Sequence, residues 1–423
     1  MDQSALPDCT PASLDVEAAL AQVLDTLTPL PGSEQIALDL ALGRVLAQPL
    51  VAAMDLQPWP NSAMDGYAFA VSDLDQALAK GLALAGTSMA GHPFTGTLGP
   101  GECVRILTGA ILPAGCDTVA MQEHVAVHGD QVRLTASVPR GANVRAPGED
   151  VRTGSVVLPA GTRLGPPQIA LAAALGQARV VVSHRPRVAL FTSGDELTPL
   201  GQPLAAGAIY DSNRYLLRAM LQQMGMPVID LGIVADDPDA VRSAFAAARA
   251  QADVVISSGG VSVGDADYVR EVFSEFGDIH FWRIAMKPGR PLAFGRLDET
   301  WFFGLPGNPV STAVTFLEFV RPALCRLEGE PLTAPLRVEL PLLEPLRKAP
   351  GRMDFQRGIV AIDKDGRPGV RSAGPQGSHV MSSLAAANCL LVLPAASGDL
   401  PAGSLVEVEL LPWTGTPAAH GQP

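Results

Sequence analysis

Residues 188–196 read V-A-L-F-T-S-G-D-E, and residues 253–267 read D-V-V-I-S-S-G-G-V-S-V-G-D-A-D. Each begins as a short apolar run and breaks into Ser, Thr, Gly and acids. That is the pattern of a buried strand running into a loop. Between and beyond these stretches the period alternates. Residues 213–224 have the spacing of a helix that stops at Gly225, and 228–231 form another apolar run. Asp236-Asp237-Pro238 opens a helix reaching about residue 250, with an acidic cap and Pro at its first position. Residues 267–276 read as helix, 281–285, 292–294 and 301–304 as strands, and 310–326 as a long helix. This alternation predicts a mainly parallel sheet covered by helices on both faces.

The flanks have a different character. Residues 13–28 (SLDVEAALAQVLDTLT) predict an amphipathic helix capped by Ser13 and followed by Pro29, and 37–46 a second helical stretch. From 50 to 147 the apolar runs are short (104–107, 118–121, 132–134) and separated by Gly, Pro, Asp and Ser, which reads as a small β-rich module. Residues 148–183 hold turns and one Ala/Leu-rich helix near 167–175. Residues 329–412 are Pro-punctuated strands with a polar hairpin near 363–367. A chain of 423 residues is too long for one ordinary domain, and 47% hydrophobic residues supply several cores.

Composition excludes several classes. The net charge of −13 does not suit a protein that blankets nucleic acid or an anionic membrane. Positive charge for an anionic substrate must therefore be local, or come from a metal. No apolar run is long enough for a membrane span, and MDQSALPDCT lacks the basic and apolar regions of a signal peptide, so a cytoplasmic location is expected. The five cysteines form no C-x-x-C pair, which argues against a zinc site or a disulfide framework. No G-x-x-x-x-G-K-[ST] occurs. Gly260–Gly264 spell G-x-S-x-G, but Ser258 and Gly259 separate the strand from the motif, so the tight turn of a hydrolase nucleophile elbow is not expected.

In a parallel α/β sheet, ligands sit where strands end and helices begin. The loops expected there share one chemistry. They carry Ser193, Gly194 and Glu196; Asp236 and Asp237; Gly259, Gly260, Ser262 and Asp267; Lys287 and Arg290; and Pro306, Gly307, Asn308 and Pro309. Small residues let backbone N–H groups approach an oxyanion. Carboxylates beside that oxyanion repel it unless a divalent cation bridges them. Together with Lys287 and Arg290, the set points to a Mg2+-assisted reaction on a phosphorylated substrate. Taken singly, Asp236 or Asp237 also reads as a helix cap, Gly259-Gly260 as a turn, Asp65-Gly66 as a hairpin turn and Thr108 as a turn hydroxyl.

The ordered set P-x-x-N-S-A-M-D-G-Y-A, R-I-L-T-G-A, T-S-G-D-E-L, S-S-G-G-V-S-V-G-D-A-D-Y, K-P-G-R-P, G-L-P-G-N-P-V-S and G-R-M-D-F-Q-R-G, spread over residues 13–412, closely resembles the molybdopterin molybdenumtransferase family, whose eukaryotic counterpart is the gephyrin E domain. The resemblance implies a multidomain α/β plus β fold: an elongated helical domain from two segments (1–50 and 148–185), an inserted β-rich domain (51–147), a central three-layer α/β/α domain with a mainly parallel sheet (186–328), a C-terminal small β-barrel (329–412) and a tail (413–423). It implies a transferase that inserts molybdate into adenylylated molybdopterin with Mg2+-dependent release of AMP. It also implies a homodimer whose cleft is shared between subunits, and transient contact with the molybdopterin-adenylylating protein and with cofactor-accepting enzymes.

Carried over by motif, Asp65, Thr108, Glu196, Asp267 and Lys287 take catalytic roles. Glu196, Asp236 and Asp267 take the metal. Arg145, Asp150, Ser193, Gly194, Gly259, Gly260, Ser262, Arg290, Pro306, Gly307, Asn308, Pro309, Arg357 and Ser378 bind substrate. Arg283 and Arg290 depart from the lysines common in the family, exchanging a point charge for a planar fork. Two rivals are weighed. An adenylyltransferase would share the α/β domain but not the β-rich and C-terminal segments. A scaffold would be expected to carry a fused partner domain and long linker, and these 423 residues read as neither, so the transferase is expected.

Overall fold

The computed structural model describes residues 13–259, 272 and 277–413. Gly260, Ser262, Asp267, the G-x-S-x-G stretch and the expected 267–276 helix lie outside the described residues, apart from Val272. The described residues form two compact units. One comprises residues up to 34, 43–45 and those from 183 onward; the other comprises 35–42 and 46–182.

The first unit is built on a six-stranded sheet in the order Val228–Val234, Val188–Ser193, Val254–Ser258, Thr300–Leu305, Pro291–Leu297, Asp278–Arg283. The first four strands run parallel, Pro291–Leu297 runs against them, and Asp278–Arg283 pairs antiparallel with Pro291–Leu297. The antiparallel edge has a local cause. Only Asp298 and Glu299 join Pro291–Leu297 to Thr300–Leu305, and so short a link can only close a hairpin. Successive side chains of Val188–Ser193 serve opposite faces. Val188 and Leu190 join a core with Leu217, Leu221, Val314 and Phe319, while Ala189 and Phe191 join another with Val241, Phe245 and Phe302. On the second face Phe245 meets Phe191 edge-on at 5.4 Å and Phe302 at 5.5 Å. Helices therefore cover both faces: Asn213–Gln223 and the run Pro309–Leu327 on one, Pro238–Arg249 on the other. The long run is interrupted by one π turn, Phe316–Val320.

The first helix spans Val16–Thr26, and its cap is Asp15 rather than Ser13. The Asp15 carboxylate accepts from Ala18 N at 2.6 Å. Val16, Ala19 and Val23 enter the core that holds Phe319 and Leu324, so residues 13–34, expected within a helical domain, pack with the sheet unit. Residues 37–46 are not helical. Ser33–Ala37 is a strand, Leu38–Leu40 a single 3-10 turn, and Gly43 sits at φ +71°, outside a right-handed helix. Leu38 N donates to Ala178 O, and Leu40 and Leu42 are exposed, so no helical apolar face exists there to bury.

Toward the C-terminus, Met353–Ile362 is the long strand of a second sheet. It pairs antiparallel with Cys389–Leu393 and Pro368–Ser372, and parallel with the short Met286–Lys287 strand. The expected hairpin at 363–367 is present, with Asp363 Oδ1 accepting from the N–H groups of Asp365 and Arg367 at 2.8 Å.

In the second unit, a six-stranded sheet runs Thr118–Met121, Gly66–Phe69, Glu102–Ile106, Leu82–Ser88, Gln131–Leu134, Val125–His128. Phe69, Leu82, Cys103 and Val132 fill its core. The helix Pro166–Ala174 packs in a separate cluster with Leu46, Leu158 and Val182. Among the described residues no helix is long and apolar enough to cross a membrane.

Candidate functional site

The carboxyl ends of the parallel strands open into a cleft of about 550 Å3, lined entirely by residues of the first unit. Ser193 and Gly194 leave the Val188–Ser193 strand and carry the chain to Glu196. Asp236 follows the Val228–Val234 strand, Gly259 follows Val254–Ser258, and Pro306, Gly307 and Asn308 follow Thr300–Leu305. Lys287 through Pro291 form another wall, and Arg352 with Gln376, Gly377 and Ser378 comes from the C-terminal sheet and its loops.

Close approach dictates the glycines. Gly259 has φ +96°, and a Cβ there would lie 2.3 Å from Ser193 O. The Gly259 N–H is spent on Leu305 O at 3.2 Å, locking its strand end to the next one. Gly289 has φ +99°, with its missing Cβ position 2.5 Å from Thr315 Oγ1.

Asp236 and Asp237 divide their work. Asp237 is the helix cap, accepting from Asp239 N and Ala240 N. Asp236 lines the cleft, and its backbone N–H donates to Asp195 Oδ1 at 3.3 Å. Burial raises the Asp236 pKa, and the Asp195 and Glu196 carboxylates push it the same way. Three cations, Lys287, Arg290 and Arg352, line the cleft together with two carboxylates, Glu196 and Asp236. Lys287 stands 3.6 Å from the buried carboxylate of Asp354. In a chain of net charge −13, this is the local positive charge an anionic substrate requires.

Among the described residues, no three His, Cys, Asp or Glu side chains are grouped to hold a metal. Glu196 and Asp236 nevertheless suit Mg2+. They are hard oxygen donors, and this ion commonly takes one or two carboxylates and completes its shell with water and phosphate oxygens. Burial first, and then the neighbouring Asp195 and Glu196 carboxylates, raise the Asp236 pKa, and a cation would relieve that carboxylate crowding.

Of the expected site residues, Ser193, Gly194, Glu196, Asp236, Gly259, Lys287, Arg290, Pro306, Gly307, Asn308 and Ser378 line the cleft. Pro309 begins the following helix instead. Arg357 does not face the cleft; it is fully buried. Its Nη2 donates to Pro375 O at 3.1 Å and Gly377 O at 3.0 Å, and its Nε to Ser383 Oγ at 3.3 Å, so it braces the loop that presents Ser378. Its Nη1 has no hydrogen-bond partner among the described residues. Burial brings the Arg357 pKa down to about 10.

The exposed Arg352 was missed, although it stands in the same G-R-M-D-F-Q-R-G stretch. Its signal was position: Arg352 precedes the Met353–Ile362 strand, whereas Arg357 lies inside it. Gln376, Gly377 and Ser311 were also missed, although Gln376 and Gly377 directly precede Ser378 and Ser311 closes the G-L-P-G-N-P-V-S stretch.

In the second unit, Asp65 and Thr108 meet. Asp65 Oδ1 accepts from both Thr108 N and Thr108 Oγ1 at 2.7 Å, and these bonds, the backbone one first, hold the Asp65 pKa below its usual value. Arg145 lies on a two-residue strand opposite Asn61, and Asp150 is exposed in the following turn.

Three family models match in order: "MoeA N-terminal region (domain I and II)" over residues 14–176, "Probable molybdopterin binding domain" over 189–326 and "MoeA C-terminal region (domain IV)" over 339–411. A molybdopterin molybdenumtransferase of Haemophilus influenzae is 42% identical over 398 residues, covering 94% of this chain and 98% of its own length. One from a Nostoc species is 38% identical over 411 residues, covering 93% of each chain. The crystal structure of a molybdopterin biosynthesis moeA protein from Pyrococcus horikoshii superposes with a TM-score of 0.82 at 28% identity, over 95% of this chain and all of that one. On this identity and coverage, and on the three models that match in sequence order, the chain belongs to the molybdopterin molybdenumtransferase family.

Proposed function

We propose that this protein is a molybdopterin molybdenumtransferase that binds adenylylated molybdopterin and molybdate in the cleft of the first unit, inserts molybdenum and releases AMP. The observation that carries the reading is the convergence of four parallel-strand ends, three cations and two carboxylates on one cleft. Mg2+ held by Glu196 and Asp236 would neutralise phosphate charge and polarise the pyrophosphate bond. Lys287, Arg290 and Arg352 would hold the oxyanions of molybdate and phosphate, with Ser378 as hydroxyl donor. Arg357 serves by fixing the Ser378 loop. Ser193 Oγ is buried with no hydrogen-bond partner among the described residues and lies in the cleft wall, suited to bind a phosphate oxygen.

On this reading Gly260 and Ser262 would bind substrate beside Gly259, Asp267 would share the metal, Arg145 and Asp150 would bind substrate, and Asp65 and Thr108 would reach across from the partner subunit of a cytoplasmic homodimer. The adenylylating protein and cofactor-accepting enzymes would be transient partners. The C-terminal sheet is read as a small barrel; the single bridge between Leu342 and Val370 supports closure.

The test is turnover of adenylylated molybdopterin with Mg2+ and molybdate, following AMP and active cofactor together. Molybdate-dependent release of AMP with cofactor formation is expected. The Glu196→Gln variant should lose at least 100-fold in rate while keeping its melting temperature. Normal insertion by that variant would remove Glu196 from the mechanism, and AMP release without molybdenum incorporation would reduce the protein to a pyrophosphate hydrolase.

A further inference from the structure

Residues 211–214, D-S-N-R, lie outside the cleft wall, yet they cross-link the strand ends that form it. The fully buried Asp211 accepts from Thr192 Oγ1 at 2.8 Å and from Arg214 Nε at 3.0 Å, and Arg214 reaches both oxygens of Asp230 at 3.0 and 3.1 Å. This network seats the start of the Asn213–Gln223 helix against two strands. Asn213 is thereby aimed at two other loops. Its Nδ2 donates to Gly307 O at 2.6 Å and to Ser258 Oγ at 2.9 Å.

The orientation of that amide follows from its partners. A carbonyl oxygen only accepts, so the NH2 end must face Gly307. Ser258 Oγ donates its own proton to Pro306 O at 3.0 Å, so it too accepts from Asn213. Both protons of one amide are thus committed, one to each loop. The loops are close enough that a Cβ on Gly307 would lie 3.9 Å from Gly259 Cα.

We propose that Asn213 is a positioning residue of the transferase site, its amide clamping the Ser258–Gly259 loop to the Pro306–Gly307 loop so that both address the same bound oxyanion. This rests on the reading of the cleft as the transferase site. Asn213 touches no reacting atom; it sets the spacing of the groups that do. Displacing such a group by about 1 Å costs on the order of 100-fold in rate.

The test measures kcat, KM for adenylylated molybdopterin and melting temperature for Asn213→Ala, Asn213→Asp, Ser258→Ala and the Asn213→Ala/Ser258→Ala pair, with Glu196→Gln alongside. Asn213→Ala should raise KM at least about tenfold with a melting temperature near that of the parent protein. Asn213→Asp keeps the outline but has no N–H to donate, so it should be equally impaired. The double variant should be little worse than either single one, because both substitutions break one chain of hydrogen bonds. Parent-like KM in Asn213→Ala or Asn213→Asp, beside an inactive Glu196→Gln, overturns the clamp and leaves the cleft standing. Fully additive losses that track a falling melting temperature also overturn it. Full activity in Glu196→Gln instead removes the site reading on which the clamp rests.

Discussion

Arg352 and Arg357 stand five residues apart in one motif and do opposite work. Arg352 is exposed on the cleft wall, whereas Arg357 is fully buried and spends its donors on two backbone carbonyls and a hydroxyl. Arg352→Ala should lower kcat/KM for molybdenum insertion about 10- to 100-fold, the worth of a charge-assisted contact, with stability unchanged. Arg357→Ala should instead cost about 3 kcal/mol in a denaturant titration, because it strands buried carbonyls under the Ser378 loop. Equal and purely kinetic losses in both variants would contradict this division. Gly259→Ala is harsher than either: the added methyl meets the Ser193 carbonyl, so a folded but inactive protein is expected from circular dichroism and turnover together.

At the scale of elements, the Pro238–Arg249 helix shows how one dipeptide serves fold and site. Asp237 caps its N-terminus with bonds to Asp239 N and Ala240 N, while Asp236 is left for the cleft. Asp237→Ala should therefore cost about 1 kcal/mol of stability, read from urea unfolding, and spare turnover. Asp236→Asn should do the reverse. The sequence showed that an acid would cap this helix but not which one, since the choice depends on a β-region φ/ψ at residue 237 set by the preceding strand. The same helix anchors the second face of the sheet through Phe245, between Phe191 and Phe302. Phe245→Ala should destabilise by about 3–5 kcal/mol, measurable as a lowered denaturation midpoint.

Across the first unit as a whole, a buried acid ties distant segments together. Glu318, on the π turn, is 5% exposed, and its Oε2 lies 3.6 Å from Arg337 Nη2. Arg337 is shared with Glu407 and Glu409, while Arg321 and Glu17 complete the surrounding charges. Burial, reinforced by Glu409, raises the Glu318 pKa from 4.5 to about 8. The native state then binds more protons than the unfolded chain between these values, so this group's contribution to stability falls as pH rises through that window. Replacement by Gln should flatten that part of the stability–pH curve and leave the variant relatively more stable near pH 9. A slope unchanged by Glu318→Gln would assign the effect elsewhere.

By itself the sequence determined the strand–helix alternation of 188–327, the loops that carry the small residues and charges, and the family. These are written in local periods and in contiguous motifs. Only the tertiary structure decided that residues 13–34 pack with the sheet unit, that 37–46 are not helical, that Arg352 rather than Arg357 lines the cleft, and that Asn213 joins two loops. Each of these depends on partners distant along the chain. Burial and hydrogen-bond partnership are properties of the packed molecule, and no local pattern specifies which of two arginines, or which of two aspartates, the packing will leave open.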